Sequence, residues 1–240
     1  MHRSVLPLVC LGFVLFFLIP VPRVSAQVTK ATDVAEQPQR NTQESSPPIV
    51  IAKKGTPTLD GKLDKIWASV EAVRVERPVE ELLQSKRELV ATADVKLLWD
   101  ETHLYALWIV KDSKLSLDHI DDWQQDSVEL FLDRNLKRTV FYQYDDAQYR
   151  VNYQGKLSGQ GEGYQVDDLQ AATAKTDAGY VVEMSILIPD GVMEPSHEMG
   201  IEFQVNDHRG KQGREAVVKW NHVEDDSWED TSNFGIVQIK

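Results

Sequence analysis

Apolar positions along this chain alternate with polar ones in short runs rich in β-branched and aromatic residues. VKLLWD (95–100), HLYALWIVKD (103–112), SVELFLD (127–133), TVFYQYD (139–145), QYRVNYQG (148–155), YVVEMSILIP (180–189), IEFQVND (201–207), EAVVKWN (215–221) and FGIVQIK (234–240) share this texture. A period of two lets a pleated strand bury one face while the other meets water. Turn residues separate the runs and no helical segments alternate with them. The pattern therefore predicts an all-β domain, an antiparallel, jelly-roll-like β-sandwich of two sheets packed face to face. Helix is minor: DGKLDKIW (60–67) predicts one turn, and PVEELLQSKREL (78–89) reads as a short helix or a long loop.

Strand parity sorts the polar residues. In QYRVNY, Tyr149, Val151 and Tyr153 share one face, so Gln148, Arg150 and Asn152 point to the other. In IEFQVND, Ile201, Phe203 and Val205 oppose Glu202, Gln204 and Asn206, and in SVELFLD, Val128, Leu130 and Leu132 oppose Glu129. Three strands thus offer polar groups to one surface, which is either an ordinary solvated face or a binding face.

The tryptophans help to decide. Trp99, Trp108 and Trp220 sit inside strand patterns and Trp67 follows Leu63 and Ile66, so these four read as core. Trp123 in DDWQQD and Trp228 in DDSWED each stand in an acidic, hydrogen-bonding loop instead. Two aromatic planes beside a fan of Arg, Glu, Asn and Gln suit a neutral sugar. A pyranose offers a C–H face for an indole and a rim of hydroxyls for bidentate polar side chains.

Before Ile49 the texture changes. Residues 1–26 have a basic start, an apolar run and a V-S-A end, which reads as a signal peptide cleaved near Ala26, with an uncleaved anchor as the alternative. Residues 27–48 contain no aromatic, Leu or Ile and read as a disordered linker. The domain is assigned to residues 49–240, and the protein is expected to be secreted, periplasmic or at the cell surface. Cys10, the single cysteine, lies in the leader, so the domain is expected to hold together by core burial without a disulfide.

The formal charge is −12, and loss of Arg3 and Arg23 with the leader leaves 24 Lys and Arg against 38 Asp and Glu, or −14. Without clustered basic residues, nucleic acid and acidic glycans are not expected partners. Neutral ligands and divalent cations remain.

From about Ile51 to Lys240 the chain resembles the family 9 carbohydrate-binding modules, exported domains found attached to xylanases and related glycoside hydrolases. The likeness rests on GTPTLDGKLDKIW, LLWDETHLYALWIVKD, WQQDSVELFLD, YDDAQYRVNY, GYVVEMSI, IEFQVND and DSWEDTSNFG, in the family's order and near its spacing. It implies a β-sandwich that clamps a terminal mono- or disaccharide unit of a xylan- or cellulose-like chain between two tryptophans. Trp123 and Trp228 match the clamp, and Glu129, Arg150, Asn152 and Gln204 match the hydrogen-bonding positions. Asp225 stands where the family has an Asn donor, so one sugar contact is expected to be lost, inverted or bridged by a cation.

The resemblance also implies structural calcium. Asp60, Asp64, Asp133, Asp145 and Asp146 are oxygen-rich loop positions of the kind hard cations use, although acid pairs also simply form turns.

Two other classes compete with a monomeric, non-catalytic binder. A glycosidase needs two carboxylates about 5 Å or 6.5–9.5 Å apart, and Glu129 is the one acid at a sugar-contact position other than Asp225. A haem-binding sandwich would draw on Met184, Met193 or Met199 with His103, His119, His197, His208 or His222. HEMGIEF at His197 imitates a zinc helix but precedes a strand pattern, and no G-x-S-x-G or phosphate loop occurs. A binder without a hydrolase in the chain is expected to act as a surface glycan receptor, a scavenger, or a partner of a separately encoded glycoside hydrolase.

Overall fold

The computed structural model describes residues 46–188, 193–210 and 213–240, so the expected leader and residues 27–45 of the expected linker lie outside the described residues. The strands are β1 (Ile49–Lys54), β2 (Val73–Val75), β3 (Arg77–Pro78), β4 (Thr92–Trp99), β5 (His103–Lys111), β6 (Ser127–Asp133), β7 (Asp146–Asn152), β8 (Leu157–Gln160), β9 (Leu169–Thr176), β10 (Gly179–Leu187), β11 (Glu198–Asp207), β12 (Ala216–Lys219) and β13 (Gly235–Ile239). The all-β expectation holds.

Hydrogen bonding joins the strands in one path, β8-β7-β6-β11-β13-β1-β4-β5-β10-β9, with β12 beside β11 and β2 beside β4. The join is β1. Its first half runs parallel to β13, from Ile49 opposite Ile236 to Ala52 opposite Ile239. Its second half runs parallel to β4, from Ala52 opposite Leu97 to Lys54 opposite Trp99. The path also curls back on itself. Trp108 of β5 meets Phe203 of β11 edge-on at 5.5 Å, and Tyr153, just after β7, meets Tyr180 of β10 at 6.0 Å.

The core lies between these facing strands and takes the apolar parity sets: Val128, Leu130 and Leu132, Tyr149 and Val151, and Ile201, Phe203 and Val205. A smaller cluster on the opposite side of β4, β5 and β10 contains Trp67, Val70, Leu98, Tyr105, Leu107 and Val181. The turn at Lys65–Ser69 delivers Trp67 there, and its indole N–H donates to the buried carboxylate of Glu183 at 3.2 Å.

Of the two readings of residues 78–89 the long loop holds: beyond Pro78, which ends β3, they contain only two 3₁₀ turns, Glu80–Leu82 and Arg87–Leu89. One expectation needs correction. Residues 139–145 do not form a strand. Their backbone is held instead by side chains: the Thr139 N–H donates to Thr231 Oγ1 and the Gln143 N–H to Asp146. The strands that went unread include β8 and β9, which end the path. An edge strand faces water on one side and needs no apolar alternation, so LSGQ and LQAATAKT gave no signal.

Candidate functional site

Register builds the floor of a cavity of about 330 Å³. Gln204 of β11, Glu129 of β6 and Arg150 of β7 lie opposite one another, and Glu202, Phe131 and Gln148 form the next row. With the apolar parity set in the core, these residues face the other way. That face is not solvated: Glu129, Gln148, Gln204 and Asn206 are all buried.

Their polar groups satisfy one another. Glu129 Oε1 accepts from Arg150 Nε at 2.5 Å and from Asn206 Nδ2 at 2.7 Å. Its Oε2 accepts from Gln148 Nε2 and, at 3.3 Å, from Gln204 Nε2. Four donors fill the acceptor capacity of one carboxylate. Glu129 therefore orients the amides and the guanidinium, with no lone pair free for a hydroxyl. Burial works to raise its pKa, but the charge and hydrogen bond of Arg150, with Arg214 behind, prevail and hold it below the usual range. A carboxyl so held is a poor general acid.

Two loops form the rim. The turn Asp122–Gln124 carries Trp123, and residues 221–232 carry Trp228. Both indoles line the cavity, at 43% and 48% exposure, whereas Trp67, Trp99 and Trp108 are buried and Trp220 packs against the core. Arg214 links the loops. Its guanidinium lies 5.1 Å from the Trp123 ring centroid, donates to Asn206 Oδ1 at 3.0 Å and pairs with Asp225. The Asp225 carbonyl in turn accepts from the Trp228 indole N–H at 3.0 Å. Burial raises the Asp225 pKa, and the Arg214 charge opposes that rise.

The Trp228 loop has further ties. Lys219, fully buried, donates to Gln204 Oε1 at 3.0 Å and to Ser227 Oγ at 2.6 Å. Burial lowers its pKa against the pull of nearby carboxylates, Glu202 first among them. Glu202 accepts the backbone N–H groups of Asn221 and His222 at 3.0 and 2.8 Å.

The sequence-derived site residues thus fall into two groups. Trp123, Trp228, Glu129, Arg150, Gln204 and Asp225 come together around the cavity. Asn152 is engaged elsewhere: its Oδ1 accepts from the N–H groups of Gln154 and Lys156, both at 3.0 Å, and its amide donates to Gln125. It closes the β7–β8 turn. Sequence reasoning missed Arg214 and Lys219. Arg214 precedes its strand without a pattern, and Lys219 was hidden by reading EAVVKWN only as a strand. Gln148 was visible in the parity but not singled out.

Among the described residues, two acidic trios have ligand atoms within 4.8 Å of one another. One joins Asp133, Asp145 and Asp146. Its oxygens mostly accept hydrogen bonds, with Asp133 accepting from the Arg138 N–H at 2.6 Å and Asp145 from the Asn135 N–H at 2.8 Å, while burial and the neighbouring acids push Asp146 up to about 7. The other, Asp112, Asp126 and Asp207, was not anticipated. Here burial and mutual repulsion push Asp126 up to about 9 and Asp112 to about 6, and Asp112 Oδ2 and Asp207 Oδ1 are buried without a hydrogen-bond partner. Arg209 stands 3.7 Å from Asp112 and 3.9 Å from Asp207, beyond hydrogen-bonding distance. Orphaned carboxylate oxygens of this kind fit a hard cation. Asp60 and Asp64 belong to neither trio. Asp60 pairs with Lys62 at 2.9 Å and Asp64 accepts the Thr58 N–H.

The haem reading finds no support. Met184, Met193 and Met199 are packed in the core, while His208 Nδ1 meets the Gly213 carbonyl and His222 pairs with Asp226. The HEM segment is also not a helix, since β11 begins at Glu198.

Residues 59–240 match the family model described as "Carbohydrate family 9 binding domain-like". The endo-1,4-beta-xylanase A of Thermotoga neapolitana is 38% identical over 191 residues, 80% of this chain and 18% of that enzyme. Exoglucanase XynX of Acetivibrio thermocellus is 38% identical over 187 residues, 78% of this chain and 17% of that protein. The chain therefore spans less than a fifth of the length of these curated relatives. A family 9 carbohydrate-binding module from Caldicellulosiruptor kristjanssonii in complex with cellotriose superposes with a TM-score of 0.74 at 31% identity, covering 80% of this chain and 94% of that one. The same organism's module in complex with glucose gives 0.73 at 32% identity, covering 80% and 96%. On the family match and these relatives, the chain belongs to the family 9 carbohydrate-binding modules, a non-catalytic family.

Proposed function

We propose that the cavity receives the terminal sugar unit of a neutral xylan- or cellulose-like chain, with the pyranose ring held between Trp123 and Trp228. The observation that carries this reading is that the two exposed indoles line one cavity whose floor is a prearranged set of polar groups. The Caldicellulosiruptor modules, in complex with cellotriose and glucose, support it by likeness.

Arg150, Gln148, Gln204 and Arg214 supply the hydroxyl contacts, and Glu129 and Asp225 fix their orientation. The replacement of an Asn by Asp225 then needs no cation, because Arg214 neutralises the acid and becomes the donor beside it. If each indole covers about 80 Å² of apolar surface, the pair contributes ~4 kcal/mol. Hydrogen bonds roughly offset the cost of association, so dissociation constants fall between about 1 μM and 1 mM.

The facing contacts of β5 with β11 support a jelly-roll-like sandwich, in which β1 passes from one sheet to the other. The orphaned oxygens of Asp112 and Asp207 favour Asp112, Asp126 and Asp207 as a structural calcium site over Asp133, Asp145 and Asp146. The first residues support export, and in that setting the module acts as a monomer that holds chain ends for a glycoside hydrolase to work on.

The test is titration with glucose, xylose, cellobiose, xylobiose and their alditols, with calcium present, following Trp fluorescence. Quenching by sugars is expected, and quenching by sugars but not alditols marks a reducing-end receptor. No response to any of them refutes the reading.

A further inference from the structure

The segment 139–145 spends its aromatics outside the core. Phe141 is 73% exposed and Tyr144 67%, with Val140 at 58% beside them. Three apolar side chains exposed within five positions are the kind of surface that marks an interaction site.

Its backbone is not loose. The Asp133 carboxylate accepts the Arg138 N–H at 2.6 Å, and Leu136 and Arg138 hold left-handed φ values of 56° and 52°, a strained state for residues other than glycine. Thr139 exchanges backbone bonds with Thr231, its N–H reaching Thr231 Oγ1 and its carbonyl accepting the Thr231 N–H, both at 2.9 Å. The Tyr142 hydroxyl then donates to the Ser227 carbonyl at 2.6 Å. Phe141 lies in sequence between these two anchors, so the stretch that carries it is tied at both ends to the segment that holds Trp228. Gly161, at φ 96°, leaves room for the Tyr142 ring, which a Cβ there would approach to 3.1 Å. One residue before it, Gln160 lines the cavity and donates to the Trp228 carbonyl.

Resting on the terminal-sugar reading, we infer that Phe141 and Tyr144 form a second stacking surface, continuous with the Trp228 wall, for sugar units of the same chain beyond those in the cavity. Three observations converge on it: aromatic planes set out on a fixed backbone, two direct ties to the Trp228 loop, and Gln143 between the aromatics as a hydrogen-bonding side chain for a neutral chain. Trp123 and Trp228 then select the end of the chain, and Phe141 and Tyr144 select its length.

The test is calorimetric titration of the full-length protein with cellobiose, cellotriose, cellotetraose and cellohexaose, and with the matching xylo-oligosaccharides. Affinity is expected to rise about tenfold from the disaccharide to the longer chains. Phe141→Ala with Tyr144→Ala should remove that rise and leave disaccharide affinity and thermal stability unchanged. Disaccharide binding that gains nothing with chain length overturns this inference alone, and so does a gain that survives the double substitution. If the double variant fails to fold, Phe141→Ser alone serves, and should lower the gain by about threefold or more; an undiminished gain in it counts equally against the inference. No binding of any sugar removes the receptor reading and this inference together.

Discussion

Glu129 is the residue on which the site's polar order turns, because four donors converge on its two oxygens inside a buried network. Glu129→Ala leaves a guanidinium and three amides without their acceptor, and should cost ~3–5 kcal/mol of stability, measured by urea unfolding. The pH dependence has a definite sign. Its pKa is lower in the folded chain than the ordinary 4.5, so its contribution is complete above that value and is lost as pH falls through the depressed one. Acid unfolding below pH 4.5 should therefore be less steep for Glu129→Gln than for the native protein; equal slopes would show that the carboxylate is not the group held low. Asp225 tells a related story. Its identity promised a lost donor, yet its pairing with Arg214 converts an acceptor into the anchor of a better donor.

The two tryptophan-bearing loops are held by different chemistry, and each can be loosened separately. The Trp228 loop is tied by Lys219 to Ser227, so Lys219→Met should weaken sugar binding about tenfold while shifting the melting temperature by only a few degrees. Native affinity in that variant would show that the tie is dispensable. The Trp123 loop ends at Asp126, whose carboxylate accepts the Ser116 and His208 N–H groups and belongs to the Asp112–Asp126–Asp207 trio. Chelation should therefore lower both the melting temperature and sugar affinity, with calcium restoring both; indifference to chelator would leave the trio a purely structural cluster. These elements also mark the limits of sequence reading. The inward parity of β6, β7 and β11 was legible because period two is a local signal. The convergence of Arg214, Lys219 and the Asp112–Asp126–Asp207 trio was not, since it depends on β11 lying beside both β6 and β12. Segment 139–145 misled for a third reason: its aromatics carry strand propensity, but side-chain bonds from Thr231 and Asp146 claim its backbone first.

Across the whole molecule, an acidic surface with pI near 4.9 surrounds a site whose ions are paired internally. Binding of a neutral sugar there should change less than about twofold between 50 and 500 mM NaCl, since no counterion is released; a steep salt dependence would point to a charged ligand. The chain covers only a small part of the length of its xylanase relatives, and the proposed function would make it a means of placing chemistry supplied elsewhere. All of this presupposes that Trp123 and Trp228 grip one ring between them. Calorimetry of cellobiose binding to Trp123→Ala and to Trp228→Ala, with thermal unfolding recorded alongside, addresses that directly. Each variant should lose measurable binding while melting within a few degrees of the native protein, and native-like affinity in either one would contradict a shared grip.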